Sequence, residues 1–121
     1  MPRNSEFVNY LLEQLAPLGE VTAKSMFGGW GIYHEGRMFA LVAADTLYIK
    51  VDEVSRSEFE SAGLQPFRYQ RRDEEVAAMS YYAPPTAAID DRELLCTWAG
   101  KGIDAATRAA DKKRAKPKRR K

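Results

Sequence analysis

Few residues in this chain have the chemistry for catalysis, and their spacing keeps them apart. His34 is the only histidine, so a serine–histidine–acid arrangement would need this one imidazole as its base. It stands beside Glu35-Gly36, where a solvated hairpin position accounts for it. Cys96 is the only cysteine. One thiol excludes an internal disulfide and any multi-cysteine zinc or iron–sulfur site. Set among Leu94, Leu95 and Trp98, it reads as a small buried hydrophobe and not as a reactive thiolate. The carboxylates Asp73-Glu74-Glu75 and Asp90-Asp91 fit a hairpin tip and a helix cap better than a metal site. Gly28-Gly29-Trp30-Gly31 lacks the Gly-Lys-Ser/Thr ending of a phosphate loop and the spacing of a dinucleotide fingerprint. Its glycines suit a bend where two strands or a helix approach closely. These residues predict no catalytic group, no cofactor and no metal, hence no enzyme.

Two features could bind instead. Trp30, Tyr33, Phe39, Tyr48, Phe67, Tyr69, Tyr81 and Tyr82 fall in strand-like segments. Exposed rings could stack single-stranded bases, but strand aromatics are more often core or cross-strand partners. The second feature is charge. Residues 108–121 hold nine Lys/Arg and one acid, a balance of +8, while residues 1–107 hold ten Lys/Arg and sixteen Asp/Glu, a balance of −6. The net +2 therefore describes a basic tail on an acidic body. An acidic body favours core rings over a phosphate-binding sheet. Lys112, Lys113, Arg114, Lys116, Lys118, Arg119, Arg120 and Lys121 form the segment with a clear partner preference, polyanions such as DNA or RNA. Such contacts carry no base specificity and weaken steeply with salt. A solubilising terminus with no partner is the alternative.

The elements that hold these residues follow from periodicity. With 121 residues and 13.7 kDa, the chain has the length of one domain. Ser5 to Leu18 predicts a helix, capped by Ser5, with Phe7, Val8, Leu11, Leu12, Leu15 and Leu18 on one stripe. Val21–Met26, Trp30–His34, Arg37–Ala43 and Thr46–Val51 read as strand segments, the last with clean alternation of Leu47, Ile49 and Val51. Asp52–Ala62 reads as a short helix with Val54, Phe59 and Ala62 inward. Phe67–Gln70 and Val76–Tyr82 are strands, ended by Pro84-Pro85. Asp90 or Asp91 caps a last helix with Leu94, Leu95, Trp98, Ile103 and Ala106 inward, weakened at Gly100 and Gly102. The expected fold class is α+β, two-layer, an antiparallel five-stranded sheet with helices on one face, in the order α-β-β-β-α-β-β-α. The domain is expected over residues 1–107, and 108–121 as a basic, disordered tail.

Met26-Phe27-Gly28-Gly29-Trp30-Gly31-Ile32-Tyr33, followed by Gly36–Val42, Leu47–Asp52, Phe59, Ala62-Gly63-Leu64, Pro66-Phe67 and Met79-Ser80-Tyr81-Tyr82, resembles the TfoX/Sxy N-terminal domain family. The motif positions are Met26, Phe27, Gly28, Gly29, Gly31, Tyr33, Met79 and Tyr81. The resemblance covers about residues 5–107. It implies a small two-layer α/β domain and a bacterial regulator of competence genes, with no catalytic residues to carry over. The chain reads as a stand-alone member, its basic tail standing where full-length members carry a second domain.

The combined expectation is a non-enzymatic regulatory or adaptor module. Its body would contact a protein partner, such as a transcription regulator, while the tail adds non-specific DNA or RNA attraction. A small-molecule or enzymatic site near the glycine bend and Tyr81-Tyr82 is the rival, and a homodimer with an inert tail is the third reading. No apolar run reaches membrane-spanning length, and the start lacks a secretory layout, so the expected location is the cytoplasm.

Overall fold

The computed structural model describes residues 4–26 and 29–115. Helix α1 (Asn4–Gln14) is followed by a 3-10 turn (Ala16–Leu18), into which Pro17 fits because such a turn does not need its missing amide. Four strands come next: β1 (Val21–Met26), β2 (Gly29–His34), β3 (Arg37–Ala43) and β4 (Thr46–Lys50). Helix α2 (Arg56–Ser61) leads to the hairpin β5 (Pro66–Arg71) and β6 (Glu74–Tyr82). A second 3-10 turn (Thr86–Asp90) precedes the long helix α3 (Arg92–Ala115). All strands pair antiparallel in one sheet of order β1-β2-β3-β4-β6-β5.

Residues directly opposite in a ladder share a face, so the register sorts the side chains. The row Ala23–Ile32–Ala40–Ile49–Tyr82 crosses five strands and faces the helices. Ile32, Ala40, Ile49 and Tyr82 are buried there with Val8 and Leu11 of α1, Leu15 just after it, Phe59 of α2, and Leu95, Ala99 and Ala106 of α3. The next row, Lys24–Gly31–Leu41–Tyr48, lies on the other face. Between β2 and β3 the register slips: Ile32 faces Ala40 but Tyr33 faces Met38, which leaves Phe39 as the extra residue of a bulge. Phe39 and Ala40, though adjacent, are therefore both buried. Helix α3 lies close on this core face. A Cβ at Gly102 would stand 2.6 Å from Ile49 Cγ2 and 2.8 Å from the Phe39 carbonyl oxygen.

The α+β class and the single helical layer hold, while the sheet has six strands and not five. Two strands lie between the first turn and β3, because Val21–Met26 and Gly29–His34 pair with each other as separate antiparallel strands. Val54 and Ala62 are exposed and not inward, since regular helix begins only at Arg56 and ends at Ser61. Leu94 also lies at the surface, and Ala99 takes the core position on α3 instead. The boundary drawn after residue 107 falls inside α3, so 108–115 continue a helix and are not a disordered tail. Ser5, expected as the cap, is the second residue of α1, since the helix already begins at Asn4; Phe27, Gly28 and Lys116 to Lys121 lie outside the described residues, as do the side chains of Met79 and Arg114.

Candidate functional site

The basic end of α3 is tied to the body by the ion pair of Arg108 with Asp52. Leaving β4, the chain turns at Asp52, whose Oδ1 accepts the backbone amides of Val54 and Ser55, each at 3.1 Å. Ser55 Oγ in turn accepts the Asp52 amide at 3.2 Å. This reciprocal turn holds the carboxylate toward α3, where Arg108 Nε donates to Oδ2 at 2.7 Å and Nη2 to Oδ1 at 3.0 Å. A two-pronged guanidinium contact is strong and directional. It holds the Asp52 carboxyl well below the usual carboxylate range, with the Ser55 bonds adding to the effect against the opposing cost of burial. Around the pair runs a groove of about 500 Å³, lined among others by Lys50, Glu53, Val54, Lys112 and Lys113. Asp52 is taken up by Arg108, so Lys50, Lys112 and Lys113 face Glu53 as the other lining carboxylate. The groove can attract phosphate or carboxylate groups and has no Ser, Thr, Cys or His among its lining residues.

The glycine bend is an apolar junction. A Cβ at Gly29 would overlap the Val42 carbonyl oxygen, so this position admits no side chain. The adjoining cavity holds about 120 Å³ and is lined by Met26, Gly29, Trp30, Leu41, Val42, Ala43 and Phe67. That is below the several hundred Å³ of usual ligand sites, and no lining side chain is titratable. Over Gly31, on the helix-free face, lie Met26, Met38 and Tyr33. Tyr81 and Tyr82, joined in sequence, point to opposite faces. Tyr82 is in the core and donates to Glu60 Oε2 at 2.6 Å. Tyr81 is on the open face beside Tyr33, and burial first, then the neighbouring Tyr33, raises its phenol above the usual value. Of the rival site, then, the structure brings Gly31, Tyr33 and Tyr81 together and leaves Tyr82 apart.

His34 and Cys96 have structural surroundings. The His34 ring nitrogen Nε2 lies 3.0 Å from the Leu18 carbonyl oxygen, and its ring meets Phe39 edge-on at 6.4 Å. It thus joins β2 to the turn after α1 and is half-buried, not a solvated hairpin residue. Cys96 Sγ donates to the Gln14 carbonyl at 3.4 Å, and burial pushes its thiol up. Among the described residues no cluster of three or more His, Cys, Asp or Glu is placed to hold a metal ion. No described helix is long and apolar enough to cross a membrane. The residues that composition did not point to are Asp52, which pairs with Arg108 of α3 across 56 positions of chain, and Lys50, which lines the same groove.

In a comparison against known families, the model of the TfoX N-terminal domain matches residues 13–106. The chain belongs to the TfoX N-terminal domain family. Two relatives are named for DNA transformation. The chain is 32% identical over 65 residues to "DNA transformation protein TfoX1" of Aliivibrio fischeri, covering 54% of this chain and 31% of that protein. It is 32% identical over 74 residues to "DNA transformation protein TfoX" of Haemophilus influenzae, covering 60% of this chain and 33% of that protein. The chain thus spans about a third of the length of these curated TfoX relatives. The TfoX family is one of competence-related regulators. Its match ends at residue 106, just before Arg108, so the basic end of α3 lies beyond the shared domain.

Proposed function

We propose that this protein is a non-enzymatic regulatory adaptor. Its TfoX N-terminal domain contacts a protein partner of the transcription machinery, and its basic C-terminal segment adds sequence-independent attraction to DNA or RNA. The observation that carries the reading is the bidentate Asp52–Arg108 pair. It supports a fixed exit for α3, so that Lys112 and Lys113 leave the body beside Lys50 in one cationic groove. The relatives' names, which refer to DNA transformation, support work near nucleic acid.

The test compares the full chain with a chain cut after Asp111. The cut spares Arg108 and every buried core residue, and removes Lys112, Lys113, Arg114, Lys116, Lys118, Arg119, Arg120 and Lys121, which takes the net charge from +2 to −6. The full chain should bind mixed-sequence duplex DNA with affinity that falls steeply as salt rises. The cut chain should lose that binding and keep its folded spectrum and its protein partner. Equal duplex binding by both chains would refute the role of the segment.

A further inference from the structure

We propose that the helix-free face of the sheet is a stacking platform for single-stranded nucleic acid, separate from the attraction exerted by the C-terminal segment. The three helices pack on one face, as the buried row Ile32–Ala40–Ile49–Tyr82 shows. The opposite face carries rings. Tyr33 is opposite Met38, Tyr48 is opposite Leu41, and Tyr81 is opposite Lys50. The β5–β6 hairpin adds two more. Its ladder slips so that Phe67 faces Ala78, and Phe67 then packs on Tyr48 with ring centroids 4.9 Å apart. Tyr69 stacks on Phe67 at 5.7 Å and 26°. Tyr69 is 39% exposed, and Tyr33, Tyr48, Phe67 and Tyr81 are half-buried, so none is enclosed as a core ring would be. Gly31, on the same face between Lys24 and Leu41, adds no side chain of its own to that surface.

Charge selects the occupant. The body as a whole is acidic, yet strands β1 to β5 contain no Asp or Glu. The cations of β1–β4 on this face are Lys24 and Lys50, and each is poised at a ring, Lys24 Nζ 5.3 Å from the Tyr33 centroid and Lys50 Nζ 5.5 Å from that of Tyr81. Aromatic faces with ammonium groups between them match the two parts of an unpaired nucleotide: a base that stacks and a phosphate that pairs. A duplex hides its base faces and gains only the second contact. The platform is also continuous with a cationic path, because Lys50 borders the groove that holds Arg108, Lys112 and Lys113. A strand laid over Tyr33 and Tyr81 would run off the sheet at Lys50 toward the basic end of α3. The acidity of residues 1–107 sits on the helices, the turns and the start of β6, where Glu74, opposite Arg71, is the one strand acid that shares the face of Phe67 and Tyr69, at the end of the hairpin.

The experiment uses the full chain and reads fluorescence anisotropy of labelled oligo-dT and oligo-dU against a duplex of the same length. Single strands should bind more tightly than the duplex, by about tenfold if stacking on two or more rings is engaged. Raising salt should weaken duplex binding more than single-strand binding, since stacking releases no counterions. The double variant Tyr33→Leu with Tyr69→Leu should bring the ratio to within about twofold while leaving duplex affinity unchanged. Lys24→Gln, at an exposed position, tests the same face without threatening the fold, and should weaken the single strand more than the duplex. Equal affinity for single strand and duplex overturns the proposal, as does a preference untouched by these variants. A concentration-dependent dimer in sedimentation, abolished by the tyrosine substitutions and lacking any strand preference, would also overturn it and assign the face to a second copy.

Discussion

Gly100 and Gly102 stand two positions apart in α3 and answer to different constraints. Glycine inside a helix costs stability relative to alanine because its free backbone has more entropy to lose. At Gly100 nothing lies within 4 Å of an added Cβ. Gly100→Ala should therefore stabilise the protein by up to about 1 kcal/mol. At Gly102 the added carbon would press on the backbone carbonyl of Phe39 at 2.8 Å, and a backbone atom of a sheet does not swing aside as a side-chain tip would. Gly102→Ala should destabilise by about 1–3 kcal/mol, because α3 must lift from β3 and β4. Urea titrations of both variants check the pair: opposite shifts in midpoint at an unchanged slope are expected.

At the scale of elements, Arg108 ties the last turns of the same helix to the body. Beyond Ala106 none of the described side chains of α3 is buried, and Arg108 holds this part of the helix through Asp52. Arg108→Ala should cost about 1 kcal/mol overall, as partly exposed pairs do, and should speed amide exchange over 108–115 while leaving Leu95 to Ala106 protected. The pair also sets a pH dependence. Asp52 is held below its ordinary range when folded, so on acidification the unfolded chain takes up the proton first. The pair's contribution is therefore whole above about pH 5, declines as pH falls through about 4 and is lost toward the lower folded value. Arg108→Ala should flatten this acid limb in stability measured against pH. Much of this architecture is legible in sequence. Leu47, Ile49 and Val51 alternate, and all three are buried. Asp91 caps α3 as its position suggests, accepting the Leu94 amide at 3.1 Å. What periodicity hides is parity across the slips. Phe39 and the Met79–Tyr81 stretch are extra residues in their ladders, so counting by twos cannot tell which rings face the helices. The bond from Arg108 to Asp52 is hidden for another reason: local pattern carries no signal for a partner 56 residues away.

For the whole molecule the decisive question is whether α1 belongs to the same cooperative unit as the sheet and α3. Its attachments are numerous and distant in sequence. Tyr10 Oη donates to Asp90 Oδ1 at 2.7 Å and to the Ile89 carbonyl at 3.1 Å, while Arg92 Nη2 donates to the Glu13 carbonyl at 2.9 Å. Leu11 and Leu15 are wholly buried in the one cluster that also holds Ile49 and Leu95. A domain of this size has roughly 5–15 kcal/mol of stability in all, and emptying a buried leucine site costs about 2–5 kcal/mol. Leu11→Ala should thus lower the melting temperature by at least about 8 °C. If one core unites the layers, the loss appears as a single displaced transition. Trp30 in β2 and Trp98 in α3 report the sheet and the far helix by fluorescence, and far-ultraviolet dichroism reports all helices. Coincident midpoints from the two probes are expected. An early dichroism change ahead of the tryptophan transition would show instead that α1 lifts off alone, leaving the six-stranded sheet and α3 as the unit that folds.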